Sequence, residues 1–308
     1  MALVPDGVSI GAFACVTGDV EHKATDVPGF DELWAARSPN ADFASMGCDR
    51  YWAMSGPLEN YVVDCARQTL QRYATAAETV DQVVFATTDA CLRLLDEDFA
   101  VRVLLALGLD GALPVVISLQ QCCASLTALR YGWDQFADPA VNNVLVVSFG
   151  YTPDDTDRLR SFAFFGDAVA SCLIGRDIPG SVRLRSSAIG VDRLGLVGQD
   201  SFVSRQAVAR DTYAKALAAS GRSLDDVAKV FPTNLYRPLA LFGAMAVGVD
   251  PGTLHFTGTL ATHAHCGNSD WMINLMDYEK DGGIEPGATY LAQASAPGFF
   301  ACGLLEGA

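Results

Sequence analysis

Short apolar runs alternate with amphipathic stretches along this chain, and the alternation is written twice. Residues 83–88 (VVFATT) read as a buried strand running into a turn, and residues 229–234 (KVFPTN) read the same way in the second half. A helix follows each, ending in 105–111 (LALGLDG) and in 245–251 (MAVGVDP), with Gly108 and Gly248 where a helix C-cap belongs. Strands are then expected at 113–118 and 254–257. After each comes a polar turn opening a helix: 120–125 (QQCCAS), running on to about Asp134, and 266–270 (CGNSD), running on to about Lys280. Apolar strands at 143–149 and 288–294 close the two units. Strands alternating with helices imply mainly parallel sheets covered by helices. Two such units predict an α/β chain of five layers, αβαβα, made of two pseudo-symmetric halves, 1–160 and 161–308.

Composition supports a large core. Of 308 residues, 50% are hydrophobic and only 19% are charged, which suits a compact enzyme better than a disordered chain. The formal net charge of -15 repels phosphate backbones and argues against nucleic-acid binding. No apolar run reaches the roughly 18 residues of a membrane span. Residues 1–7, with Asp6 and no basic cluster, do not read as a signal peptide. Nine Cys without paired CxxC spacing suggest reduced thiols and a cytoplasmic location. The four His (His22, His255, His263, His265) do not pair with Cys at zinc-ligand spacing. No GxGxxG follows a first strand, so neither nicotinamide nor flavin is expected. The acidic run 154–157 (DDTD) lacks calcium-loop spacing and reads as a solvated loop.

Six segments in order resemble the thiolase superfamily and, within it, the ketoacyl-ACP synthase III family, over nearly the whole chain. They are the opening strand 8–13 (VSIGAF), 85–88 (FATT), 121–125 (QCCAS), 165–170 (FGDAVA), 267–269 (GNS) and 296–299 (APGF). The second resembles the family's "ATT" strand end, the third its nucleophile turn, the fourth its "FGDGAGA" hairpin, the fifth its "GNTS" motif and the last its late glycine-rich turn. The resemblance places the reactive thiol at Cys123, with Cys122 as its neighbour; one of the two must point away from the pocket. It also implies a homodimer, with 89–95 (DACLRLL) at the edge of an acyl tunnel and a dimer contact. The chain departs from the family at its "HQAN" motif. It reads Phe231-Pro232-Thr233-Asn234, keeping an Asn and lacking the His. The run His265-Cys266-Gly267-Asn268-Ser269-Asp270 resembles instead acyltransferases of natural-product pathways, in which a His and an Asp assist an acyl-Cys.

A thiol where a strand turns into a helix meets unpaired amides and a positive helix end, which favour the thiolate and can hold a thioester oxyanion. Cys172, in an apolar strand, reads as an inert core thiol. His265 is the candidate base, with Asp270 one turn later to orient it, and His263 is the alternative. His255 reads as structural and His22 as a surface residue. Asn234 and Asn268 are candidate donors to a thioester carbonyl or enolate, and Gly298 is expected to let backbone approach the thiol. Decarboxylative condensation in the family uses Cys, His and Asn, and the missing His weakens it. Acyl transfer needs only an acyl-Cys, an oxyanion hole and a base. The expected activity is therefore acyl transfer from coenzyme A or a carrier protein to a hydroxyl, amine or thiol, with no bound cofactor. A condensing enzyme, with His265 in the missing role, is the runner-up. A catalytically weak partner subunit is the third reading.

Overall fold

The computed structural model describes residues 7–38, 42–176, 178–199 and 201–308; the segment 1–6 read above lies outside them. The first half begins with β1 (Val8–Thr17), β2 (Val20–Lys23), α1 (Phe30–Arg37), β3 (Arg50–Ala53) and α2 (Leu58–Arg72). It continues through β4 (Val80–Thr87), α3 (Asp89–Leu92), α4 (Phe99–Leu107), β5 (Leu113–Ile117), α5 (Ala124–Asp134), β6 (Asn143–Gly150) and β7 (Ala168–Arg176). The second half contains β8 (Val182–Val191), α6 (Phe202–Ser220), β9 (Val227–Phe231), α7 (Arg237–Ala246), α8 (Thr257–His263), α9 (Asp270–Lys280), β10 (Thr289–Ala296) and β11 (Phe299–Gly307).

The strands line up as β5-β4-β6-β7-β1-β8-β11-β10-β9. In the first half β4 runs parallel to β5 and β6, and β7 runs antiparallel to β6 and β1. The second half repeats this: β10 is parallel to β9 and antiparallel to β11, which is antiparallel to β8. Within the sheet, the two halves join at the pair Ile10–Val182. The strand period of two divides each sheet between two cores. On β4 and β6, Val84, Ala86, Val144 and Val146 face a central layer with α5 and α9. Their neighbours Val83, Phe85, Leu145 and Val147 face an outer layer with α2 and α4. On the far side, Val230, Leu291 and Leu304 face α6 and α7. Five layers result, as expected. Both faces of β6 are covered, and all of its residues are buried, which is why its sequence is a continuous apolar run.

The strand β7 hydrogen-bonds to β6 and β1, so the sheet pairing of the first unit runs on to Arg176, past the 160/161 division expected above. One expectation is corrected. Residues 254–257 do not form a strand. The counterpart of β5 shrinks to one bridge, Val230–Leu254, because a turn at Pro251–Thr253 precedes it and α8 begins at Thr257.

Candidate active site

The thiol turn sits between β5 and α5. After β5 the backbone passes through positive φ at Leu119 (67°) and Gln121 (50°), and then a single tight helical turn, Gln121–Cys123, leads into α5. A left-handed conformation at a residue with a Cβ costs on the order of 1–3 kcal/mol and persists only where its surroundings fix it. Here the Gln121 side-chain amide donates to the Asp89 carboxylate at 2.5 Å. The kink sends the two thiols in different directions. Cys123 is fully buried in the central core, and its sulfur lies 3.4 Å from the Ala294 carbonyl oxygen. Burial, followed by the nearby Cys122, pushes its thiol well above the ordinary range. Cys122 turns to a cavity and lies 3.3 Å from Nε2 of His265. The placement of Cys123 in the pocket is therefore corrected: Cys122 faces it, and Cys123 packs behind.

The base comes from the opposite turn. His265 forms a one-residue bridge with Phe165: its N–H donates to the Phe164 carbonyl at 2.8 Å, and its carbonyl accepts from Gly166 at 3.0 Å. Gly166 makes this approach possible, since a Cβ there would stand 2.3 Å from the His263 carbonyl oxygen. The Phe165 ring packs on the imidazole with centroids 4.6 Å apart. Nδ1 of His265 faces Oδ2 of Asp270 at 2.5 Å, which assigns the proton to Nδ1 and leaves Nε2 toward the sulfur. Burial alone lowers the pKa of an imidazole. Asp270, with the Cys122 sulfur beyond, outweighs that and pushes His265 up to about 10. Asp270 is fixed by two more donors, the N–H of Cys266 and the N–H of Asn234, each at 2.7 Å. His263 does not serve: its Nδ1 meets the Thr262 hydroxyl at 2.7 Å, and burial, then Lys280, lowers its pKa. His255 pairs with Asp277 at 2.9 Å, and His22 stacks on Tyr51.

The two asparagines part company. Asn234 is fully buried and points away from the thiol: its amide donates to the Ala264 carbonyl at 3.0 Å and to Thr259, and its oxygen accepts from Asn274 at 3.0 Å. This closed set of buried partners engages both ends of its side-chain amide. Asn268 accepts the N–H of Ser125 at 3.2 Å, which joins the two helix turns, and its buried Nδ2 has no hydrogen-bond partner among the described residues. Gly298 has φ +77, and a Cβ there would stand 2.8 Å from the Leu196 backbone nitrogen. Its glycine is required by that turn and that contact, while its neighbours Pro297 and Phe299 line the cavity.

Thr259 and Asn274 escaped sequence reading. The available signal was Asn274 itself, an amide on the buried face of α9 one turn after Asp270. The cavity beside Cys122 has a volume of about 590 Å³. Ala90, Cys91, Leu119, Phe162, Phe165 and Leu196 give it an apolar wall, and Asp157 and Arg160, an ion pair at 2.7 Å, also line it. Asp157 touches the cavity at its rim with its side chain 57% exposed, in keeping with a solvated loop. Among the described residues no helix is long and apolar enough to cross a membrane, and no cluster of His, Cys, Asp or Glu is arranged to hold a metal ion.

No family model matches this chain. The beta-ketoacyl-[acyl-carrier-protein] synthase III of Rhodospirillum rubrum is 27% identical over 282 residues, covering 81% of this chain and 84% of that protein. A variant of OleA from Xanthomonas campestris superposes with TM-score 0.81 at 15% identity, covering 99% of this chain and 100% of the other. ChlB3, described as an "aceyltransferase", gives 0.79 at 16% identity over 98% of each chain. The 3-oxoacyl-[acyl-carrier-protein] synthase III of Aquifex aeolicus gives 0.77 at 15% identity, covering 97% of this chain and 100% of the other. These superpositions share the fold described above.

Proposed function

We propose that this chain, a thiolase-superfamily protein of ketoacyl synthase III-like type, carries an acyl group on Cys122 and passes it to a hydroxyl, amine or thiol acceptor. One observation carries the reading: Cys122, His265 and Asp270 form a linked series, 3.3 Å and 2.5 Å apart, buried at His265 and Asp270 and reaching an apolar cavity at Cys122. A sulfur beside a carboxylate-backed imidazole is the arrangement of a nucleophile activated by an oriented base. In the first step the Cys122 proton passes to His265, whose charged form Asp270 favours. The sulfur attacks the thioester carbon of an acyl-CoA or acyl-carrier-protein donor, and His265 returns its proton to the departing thiol. Acylation removes the sulfur's negative charge, so one of the influences that hold His265 protonated disappears. The neutral ring then takes the acceptor's proton as the acceptor attacks the Cys122 thioester, and the thiolate leaves. The amides at the start of α5 and the unpartnered Nδ2 of Asn268 are the donors available to the tetrahedral oxyanion. Every step uses the chain's own side chains, with no cofactor.

The name of the Rhodospirillum relative and that free amide favour a second reading, decarboxylative condensation. The test is to load the protein with acyl-CoA and follow the adduct by intact mass. Discharge by hydroxyl or amine acceptors, with malonyl-CoA inert, supports transfer. Discharge by malonyl-CoA with a carbon–carbon product would replace transfer by condensation. The formed triad argues against a catalytically weak partner subunit.

A further inference from the structure

Ala264, immediately before His265, adopts φ 60° and ψ −149°, a combination that essentially only glycine adopts freely. A network of three buried side chains reaches its carbonyl through one of them, Asn234. Asn234 donates to that carbonyl from Nδ2 at 3.0 Å. Asn274 donates to Asn234 Oδ1 at 3.0 Å and to the Pro232 carbonyl at 2.7 Å. Thr259 donates to Asn274 Oδ1 and also contacts Asn234 Nδ2. Asn234 and Asn274 are each fully buried, and Thr259 is nearly so. We infer that Asn234 is a positioning residue: its side chain clamps Ala264 in this glycine-like conformation, and the clamp aims His265 at Cys122. The inference rests on His265 acting as the base of Cys122. The main-chain N–H of Asn234 holds Asp270 independently, so the side chain's role is separable from that of the backbone. Without the amide, Ala264 relaxes toward an ordinary conformation, and the rotation is passed directly to the imidazole.

The logic of the clamp gives a test that needs no substrate. A glycine at position 264 adopts the same conformation without strain, so the clamp has no strain to oppose. Intact protein is treated with iodoacetamide across a range of pH, and carboxamidomethylation of Cys122 is timed by peptide mass, with Cys122→Ala as control. Asn234→Ala is expected to slow labelling at neutral pH by roughly 10-fold to 100-fold and to move the pH profile toward that of an isolated thiol. Ala264→Gly alone should label as wild type does. The double variant Asn234→Ala/Ala264→Gly should return to within about 3-fold of wild type, since glycine removes the need for the clamp. Should Asn234→Ala fail to fold, Asn274→Ala, which removes the group that holds Asn234 Oδ1, gives the same comparison with and without Ala264→Gly. Wild-type rate and profile in the single variants, or a double variant no faster than its single parent, overturns the clamp. Wild-type protein that labels elsewhere than Cys122 removes the reading beneath it and the clamp together.

Discussion

The turn at Gln121–Cys123 and the turn at Gly267–Ser269 occupy matching places in the two halves, yet on the proposed reading one supplies a nucleophile and the other its base. Each is a single tight turn that runs straight into a helix of the central layer, α5 or α9. Each has a positive φ at its first residue, 50° at Gln121 and 61° at Gly267. They are tied face to face: Ser125 N–H donates to Asn268, and the Trp271 indole donates to the Ser125 hydroxyl at 2.9 Å. The backbone is duplicated and the chemistry is not. A helix N-terminus supplies amides and partial positive charge to either turn, and neither property makes a base. The second turn gains one because His265 and Asp270 bracket it and because Asp270, fixed by two backbone N–H groups, holds the ring toward the other turn. The first turn offers two thiols at successive positions, and the kink at Gln121 decides which one the base meets.

The sharpest break of this comparison is at the two thiols. Cys122→Ala should lower acyl-transfer kcat/KM by ~10³-fold or more, because it removes the atom that carries the acyl group. Cys123→Ala should leave chemistry within a few-fold and cost about 1 kcal/mol of stability from the small void it opens. Steady-state kinetics and denaturant unfolding of the pair check both. Next in size is Asp270→Asn. It keeps the volume of the side chain and removes the charge that holds His265 in its protonated form, so kcat/KM should fall between about 10²-fold and 10⁴-fold. Its effect should be greater at neutral pH than at high pH, which a pH–rate profile measures. Asn268→Ala is expected to cost less, about 5-fold to 10-fold in rate, the worth of one neutral hydrogen bond. A pre-steady-state assay that separates Cys122 acylation from its discharge shows which step depends on the amide. The smallest effect concerns stability. His265 is held up to about 10 against about 6.5 in the unfolded chain, so its pair with Asp270 contributes fully below about pH 6.5. That contribution is lost as the pH rises toward 10. The Tm gap between wild type and His265→Gln should therefore narrow across that window, and a widening gap would contradict the pairing.

The repeat made the fold legible. Residues 83–88 and 143–149 announced strands because both faces of a covered parallel sheet are apolar, and Gly108 marked the end of α4 by its left-handed cap. The strand β7, also apolar, carries no sequence mark of the sheet it joins. Residues 254–257 looked like a strand because their apolar run is too short to distinguish a strand from the entry to α8. In the site, His265 and Asp270 were legible from spacing, since five residues around a helix start bring them together. Cys122 was not, because motif order fixes a turn and leaves the direction of adjacent side chains to one backbone dihedral at Gln121. Asn234 was legible as a candidate hydrogen-bond donor, and the partners it meets were not. Its partners Thr259 and Asn274 come from α8 and α9, and only the folded chain brings them to it.

The central claim is that Cys122, aimed by His265, carries the acyl group. Tandem mass spectrometry of protein loaded with an acyl-CoA tests it directly, because fragmentation between the adjacent residues separates Cys122 from Cys123. The account predicts the acyl mass on Cys122, with loading that survives in Cys123→Ala and disappears in Cys122→Ala. An acyl group on Cys123, with loading abolished in Cys123→Ala instead, would contradict it.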